Sequence, residues 1–162
     1  MSQRSDDALV AIRQIQRRID IDTRKLAQAA GLSPSQMLVI QILDERGETA
    51  IGDIVKDTQL SNATITSLVD KMVTRGLVSR RRWDQDRRRV WLTLEPAGRQ
   101  ALKDAPRLLQ DTFGLRFDKL DNWEQAMLVA TLERVASLLD AERLDAAPIL
   151  TSGAVAAPPD QA

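Results

Sequence analysis

The feature that most constrains this chain is a pair of strand-like segments between Leu77 and Leu94, joined by a short loop. In the second segment, apolar residues occupy alternate positions at Val90, Leu92 and Leu94, as a half-buried strand requires. Charged residues crowd around the loop: Arg80, Arg81, Arg82, Asp84, Asp86, Arg87, Arg88 and Arg89. A hairpin with this excess of arginine predicts a polyanionic partner.

Two short helices are predicted immediately before the hairpin. Apolar residues at 51, 54 and 55 indicate the first, residues 58–60 form a tight turn, and Ser61 is a suitable N-cap for a second helix running to about Arg75. One face of the second helix is apolar: Ile65, Leu68, Val69 and Met72. A helix-turn-helix followed by a hairpin predicts a winged helix, which makes duplex DNA the leading candidate for the polyanion.

The distribution of charge supports this prediction although the formal net charge is zero. Between Lys71 and Arg89 there are eight basic and two acidic residues, whereas the other segments hold 15 basic and 21 acidic residues. This segregation predicts a local positive field that attracts phosphate. The alternative is a solvated hairpin whose arginines only maintain solubility.

Long helical segments flank the predicted winged helix. Residues 6–30 form an amphipathic pattern that Gly31 ends, and Ser33 with Pro34 begins a further helix that ends near Gly47. Residues 97–120 are mostly helical in composition, with Pro106 predicted to kink or interrupt them. We predict a mainly α fold of about six helices with a two- to three-stranded wing sheet.

A last helix is predicted from residue 122 or 123 to Arg143. Its apolar residues recur at steps of four, three and four: Leu128, Leu132, Val135 and Leu139. This pattern is typical of a helix that packs on other helices. It is compatible with an intramolecular core, a dimer interface, or both.

Several classes of function are disfavoured by composition. The chain has no cysteine and no histidine, which excludes disulfides and zinc–thiolate sites and removes the commonest neutral-pH general base. Asp84 and Asp86 could in principle bind a divalent cation or act as a catalytic pair, but arginines surround them and no further acid completes a site. We therefore expect no catalytic residues, metal or cofactor. No apolar run suits a membrane span or signal peptide, so we expect a cytoplasmic, nucleoid-associated protein.

Candidate DNA contacts lie on the second helix of the helix-turn-helix. Small polar residues near its start suit base edges or phosphates: Asn62, Thr64, Thr66 and Ser67. The Ser61 hydroxyl could cap the helix or contact a base. Lys71 and Arg75, further along, are expected to meet phosphates.

The wing supplies a second set of candidates. We expect Arg87 and Arg88 to enter the minor groove, where a narrow A·T-rich geometry concentrates negative potential. Asp84 and Asp86 would be repelled by phosphate, so we expect them to brace a wing arginine or the turn backbone.

With these elements in place, the chain resembles the MarR family of winged-helix bacterial transcriptional regulators. The similarity runs from about Asp6 to Arg143. The segments that carry it are Leu32-Ser33-Pro34-Ser35-Gln36, Leu60-Ser61-Asn62-Ala63-Thr64-Ile65-Thr66, Val69-Asp70-Lys71, Gly76-Leu77-Val78-Ser79-Arg80, Asp86-Arg87-Arg88 and Gly98.

The resemblance implies a homodimer that binds a pseudo-palindromic operator, with half-site centres about 34–36 Å apart. Residues 6–32 and 97–143 would form the helical dimerisation region, residues 33–96 the DNA-binding region, and residues 144–162 a flexible tail. Such proteins usually repress genes and are released by a small-molecule effector, here of unknown identity. The alternative is a winged helix used as a protein-interaction module without sequence-specific DNA binding.

Overall fold

A computed structural model describes residues 2–83, 86–141, 144 and 146–151, with the side chains of residues 83 and 86–88 excepted. The elements, in chain order, are α1 (Gln3–Ala30), α2 (Pro34–Arg46), β1 (Thr49–Ala50), α3 (Ile51–Thr58), α4 (Asn62–Thr74), β2 (Val78–Trp83), β3 (Asp86–Leu94), α5 (Pro96–Asp104), α6 (Leu109–Phe117) and α7 (Asn122–Leu138). The described residues therefore form seven helices and one small sheet, which confirms the predicted mainly α winged-helix fold.

The helix ends form where local sequence predicts them. Gly31 ends α1 in the left-handed conformation, at a φ of 64°. Ser33 and Gln36 form a reciprocal capping box at the start of α2, with Pro34 in the first turn. Pro106 lies in the connection that separates α5 from α6, so the predicted interruption of residues 97–120 is confirmed.

The wing is a three-stranded antiparallel sheet with β3 between β1 and β2. Val78 lies opposite Leu94, and Arg80 lies opposite Leu92. The base of the hairpin is buried, since Val78, Leu92 and Leu94 are each at most 2% exposed. This burial anchors the hairpin on the helices, while Arg80, Arg81 and Arg82 of β2 are exposed.

One hydrophobic core connects the winged helix to the flanking helices. It includes Leu26 of α1, Ile40 of α2, Ile65 of α4, Leu92 of β3 and Leu108 just before α6. The winged helix and the flanking helices therefore share packed side chains.

The C-terminal part departs from two sequence-based expectations. Helix α7 ends at Leu138, not near residue 143, because Asp140 adopts a left-handed φ of 54° and Ala141 N–H donates to Ala136 O. The predicted tail is also partly seated on the protein: Ile149 packs against the core, and Leu150 N–H donates to Gln110 Oε1 at 3.3 Å.

One further property concerns membranes. Among the described residues, no single helix is long and apolar enough to cross a membrane; α1 and α2 meet a length-and-composition criterion only as a pair bent by 58°.

Gly98 is required for the close approach of α5 to the wing. A Cβ at this position would lie 2.3 Å from Leu77 O and 2.5 Å from Leu94 Cδ1. We expect Gly98→Ala to reduce the free energy of unfolding by about 1–3 kcal/mol because backbone must shift. In the matched control Gly52→Ala, where no atom lies within 4 Å, we expect a gain of about 0.5–1 kcal/mol. Urea unfolding of both variants tests this; equal effects would contradict it.

Candidate nucleic-acid interface

The turn between α3 and α4 is held by a buried threonine. The Thr58 hydroxyl donates to Ile54 O at 2.8 Å and accepts from Leu60 N–H at 3.3 Å. Gln59 takes the left-handed conformation between them, at a φ of 57°. These contacts redirect the chain and set the angle at which α4 leaves α3.

Helix α4 presents one face to the core and another to solvent. Ile65, Val69 and Met72 are at most 1% exposed, whereas Asn62, Thr66, Ser67 and Lys71 are exposed. At the helix start, the Ser61 hydroxyl accepts from Thr64 N–H at 3.1 Å. The structure therefore assigns Ser61 the capping role that was one of its two alternatives.

Thr64 differs from the other candidate DNA contacts on α4 because its side chain is buried. Its hydroxyl lies 2.8 Å from the Ser61 hydroxyl. Thr64 sits at the border between the apolar and polar faces of α4, where helical periodicity does not decide burial. Thr64 thus supports the cap and does not belong to the surface that could meet DNA.

A groove between α4 and the wing brings polar and basic side chains together. Asn62 and Thr66 line one side of it and Lys56 lies at its α3 edge. The wing contributes four arginines: Arg80, Arg81, Arg82 and Arg89. Sequence reasoning noted these arginines as charge but did not single them out, and strand alternation could not have done so, because it puts Arg80 and Arg81 on opposite faces.

Acidic residues on either side of the wing hold two of these arginines. Because neighbouring strand residues point to opposite faces, Arg80 and Arg81 meet different partners. Arg80 Nη1 donates to Asp70 Oδ1 of α4 at 2.6 Å, and Arg81 Nη2 donates to both carboxylate oxygens of Glu48 at 2.9 and 3.0 Å. Asp70 and Glu48 therefore connect the wing to α4 and to the segment before β1.

The energy of these pairs is small. The side chains of Arg80 and Asp70 are each 54% exposed, and such surface pairs contribute about 0–1 kcal/mol. Another anionic group can therefore replace the carboxylate as the partner of Arg80 at little cost.

Lys71 and Arg75 do not line the groove with Asn62 and Thr66. Arg75 follows the end of α4, and its Nη2 atom lies 3.0 Å from the position that a Cβ on Gly31 would occupy. Its guanidinium is thus beside the C-terminal end of α1, where helix carbonyls favour a cation. This structural position competes with the predicted phosphate contact.

The candidates at the wing tip fall outside the description. Asp84 belongs to the residues that the structure does not describe, as do the side chains of Asp86, Arg87 and Arg88. Their predicted roles stay predictions. In the described part of the chain, no three acidic side chains cluster closely enough to hold a metal ion.

A second candidate surface is apolar. Every large hydrophobic side chain that the described residues expose lies in α1 or from α6 onward: Leu9, Val10, Ile15, Ile21, Phe113, Leu115, Trp123, Met127, Leu128, Val129, Leu132, Leu138, Leu139 and Leu144. No residue of α7 is buried. The Leu128 and Leu132 seam therefore does not form an intramolecular core, which removes one of its two predicted roles.

Comparison with known proteins finds similarity to one family over part of the chain. The family model described as MarR family matches residues 32–90. YcgE of Bacillus subtilis, named as an uncharacterized HTH-type transcriptional regulator, is 37% identical over 86 residues, which cover 53% of this chain and 56% of YcgE. The matched segment thus spans little more than half of that relative.

Solved structures show the same architecture over most of the chain. A MepR-like protein crystallised with pseudoligands superposes with a TM-score of 0.60 at 22% identity, covering 85% of this chain and 97% of that one. The transcriptional regulator BldR from Sulfolobus solfataricus superposes with a TM-score of 0.53 at 25% identity, covering 85% and 99%. Residues 32–90 of this chain are thus similar to the MarR family, and the order of elements with its winged helix is the fold that these solved structures share.

Proposed function

We propose that this protein is a homodimeric, sequence-specific regulator of transcription that binds double-stranded DNA and represses genes until a small-molecule effector releases it. The observation that carries the proposal is the groove that combines Asn62 and Thr66 of α4 with the arginines of the wing. Winged helices dock on DNA with one helix in the major groove and a basic hairpin beside that helix. The names of the relatives, as transcriptional regulators, support the same conclusion.

The side chains divide into two roles. Asn62, Thr66 and Ser67 lie at the exposed start of α4 and would contact base edges. Lys71, Arg75, Arg80 and Arg82 would contact phosphates and fix the position of the protein without specifying sequence. Arg87 and Arg88 are proposed for the minor groove, with Asp84 and Asp86 bracing the wing tip. This protein would bind its ligands without converting them, and its site of action would be the nucleoid.

The apolar surface supports a dimer. Helix α7 exposes Trp123, Met127, Leu128, Val129 and Leu132 and buries no residue in its own chain, so it needs a partner. The exposed apolar side chains fall within residues 6–32 and from 97 onward, the proposed dimerisation region, with Leu144 just past its predicted end. A symmetric dimer of these helices would present two α4 helices to successive major grooves.

The effector is proposed to act at the junction of the two regions. A cavity of about 10 Å³ there, room for one water molecule, is lined by residues of α1, the start of α2 and the α5–α6 connection, including Asp22, Leu26, Pro34 and Leu108, so an effector would have to widen it. A ligand that favours a dimer with the wrong α4 separation needs a differential affinity of only about 3–5 kcal/mol to release DNA.

The alternative, a protein-interaction module, is separated from this proposal by salt dependence. For a mixed-sequence duplex titrated by fluorescence anisotropy, we expect affinity to fall by orders of magnitude between about 50 and 200 mM salt.

Arg82→Ala and Arg88→Ala should each weaken binding and reduce the slope of log affinity against log salt by about 1. The control Lys103→Ala removes the same charge from α5 and should leave the binding affinity and its salt slope unchanged. Absent or salt-insensitive binding would favour the interaction module.

The dimer is tested by charging the seam of α7. Leu132 and Leu139 are 52% and 54% exposed in the single chain, so the pair Leu132→Asp and Leu139→Asp should keep the helical content while producing monomers in sedimentation velocity. The control pair Thr74→Asp and Ser79→Asp, at exposed positions of the winged helix, should remain dimeric. A stable dimer of the seam variant would place the interface elsewhere.

A further inference from the structure

The outer face of α4 has an unusual chemistry for a helix that meets a polyanion. Over its first nine residues, Asn62 to Asp70, it carries no lysine or arginine. Its exposed side chains there are Asn62, Ala63, Thr66, Ser67 and Asp70. The first basic residue, Lys71, comes in the third turn and outside the groove.

This composition limits which bases the helix can recognise. The strongest contact with guanine in the major groove is a bidentate bond from arginine or lysine to O6 and N7, and the first turns of α4 supply neither. Asp70 could in principle accept from a cytosine amino group. In this structure its carboxylate instead accepts from Arg80 Nη1 at 2.6 Å, and it lies in the third turn, beyond the helix start that meets base edges in a helix-turn-helix.

The groups that remain match adenine and thymine. The Asn62 side chain is exposed and makes no hydrogen bond to the described residues, and an amide pairs with adenine N6 and N7. The Thr66 hydroxyl donates to Asn62 O at 2.8 Å, so its methyl group is left for an outside contact. The methyl groups of Thr66 and Ala63 suit the C5-methyl group of thymine.

We propose that α4 determines operator specificity by recognising A·T base pairs at the centre of each half-site, with Asn62 contacting an adenine and Ala63 with Thr66 contacting thymine methyl groups. The proposal rests on the DNA-binding function above and adds the base preference to it. The wing arginines then supply affinity, because Arg80 and Arg82 line the same groove from strand β2.

The test begins with a duplex selected from a random library by the full-length protein. Single thymines in each half-site are replaced by uracil, which lacks the C5-methyl group, and single adenines by 7-deazaadenine, which lacks N7. For the wild type we expect one 7-deazaadenine position to weaken binding about 5- to 100-fold and one or two uracil positions to weaken it about fourfold.

Variants assign each loss to a side chain. In Asn62→Ala the 7-deazaadenine penalty should disappear while the uracil penalty remains. In the double variant Ala63→Gly and Thr66→Ser, the uracil penalty should disappear while the 7-deazaadenine penalty remains. Lys71→Ala, the control, should weaken binding to all duplexes equally and keep both penalties.

The outcomes separate this inference from the proposed function. If the library yields no preferred sequence and no salt-dependent binding, the DNA-binding function itself is wrong. If the protein selects a sequence but 7-deazaguanine gives the large penalty and the A·T replacements give none, the function stands and the proposed base preference is overturned. Penalties that persist in Asn62→Ala would equally overturn the role of Asn62.

Discussion

The burial of one face of α4 is the constraint on which the rest of this structure depends. Ile65, Val69 and Met72 are almost fully enclosed, which fixes the rotation of the helix about its axis and leaves Asn62 and Thr66 facing the wing groove. The same core reaches Leu26 before the end of α1 and Leu108 at the start of α6. Because packed interiors deform little, the direction of α4 is coupled to the position of the flanking helices, and effector control of DNA binding could use this coupling.

Positive charge in this protein is concentrated on the two long strands of the wing. The net charge is zero, yet β2 and β3 carry a concentrated set of arginines, and carboxylates from two other elements order them. These carboxylates lower the conformational freedom of Arg80 and Arg81 without holding them strongly, since the pairs are half-exposed. Under the proposed function, binding a phosphate would then cost little side-chain entropy, and the acidic remainder of the chain would limit adhesion to nucleic acid at other surfaces.

The polar, basic groove and the exposed apolar surface lie on different elements of the chain. Polar and basic side chains converge between α3, α4 and the wing, whereas exposed large hydrophobic side chains occur only on α1 and from α6 onward among the described residues. Under the proposed function this separation lets the dimer form without covering the DNA-binding groove. Under the same proposal, specificity and affinity would come from different elements: small polar groups on α4 would select bases, and arginines on the strands would bind the backbone.

The sequence by itself determined the features that depend on neighbours along the chain. Ser33, Pro34 and Ser61 mark helix starts because capping is a contact within one turn, and the apolar stripe of α4 follows from helical periodicity. Only the tertiary structure decided that Thr64 is buried and that Asp70 and Glu48 bind different arginines. It also decided that α7 ends at Leu138, where an aspartate rather than a glycine takes the left-handed conformation. These outcomes depend on residues up to 33 positions apart or on backbone geometry that several residue types can adopt, and short-range patterns do not contain that information.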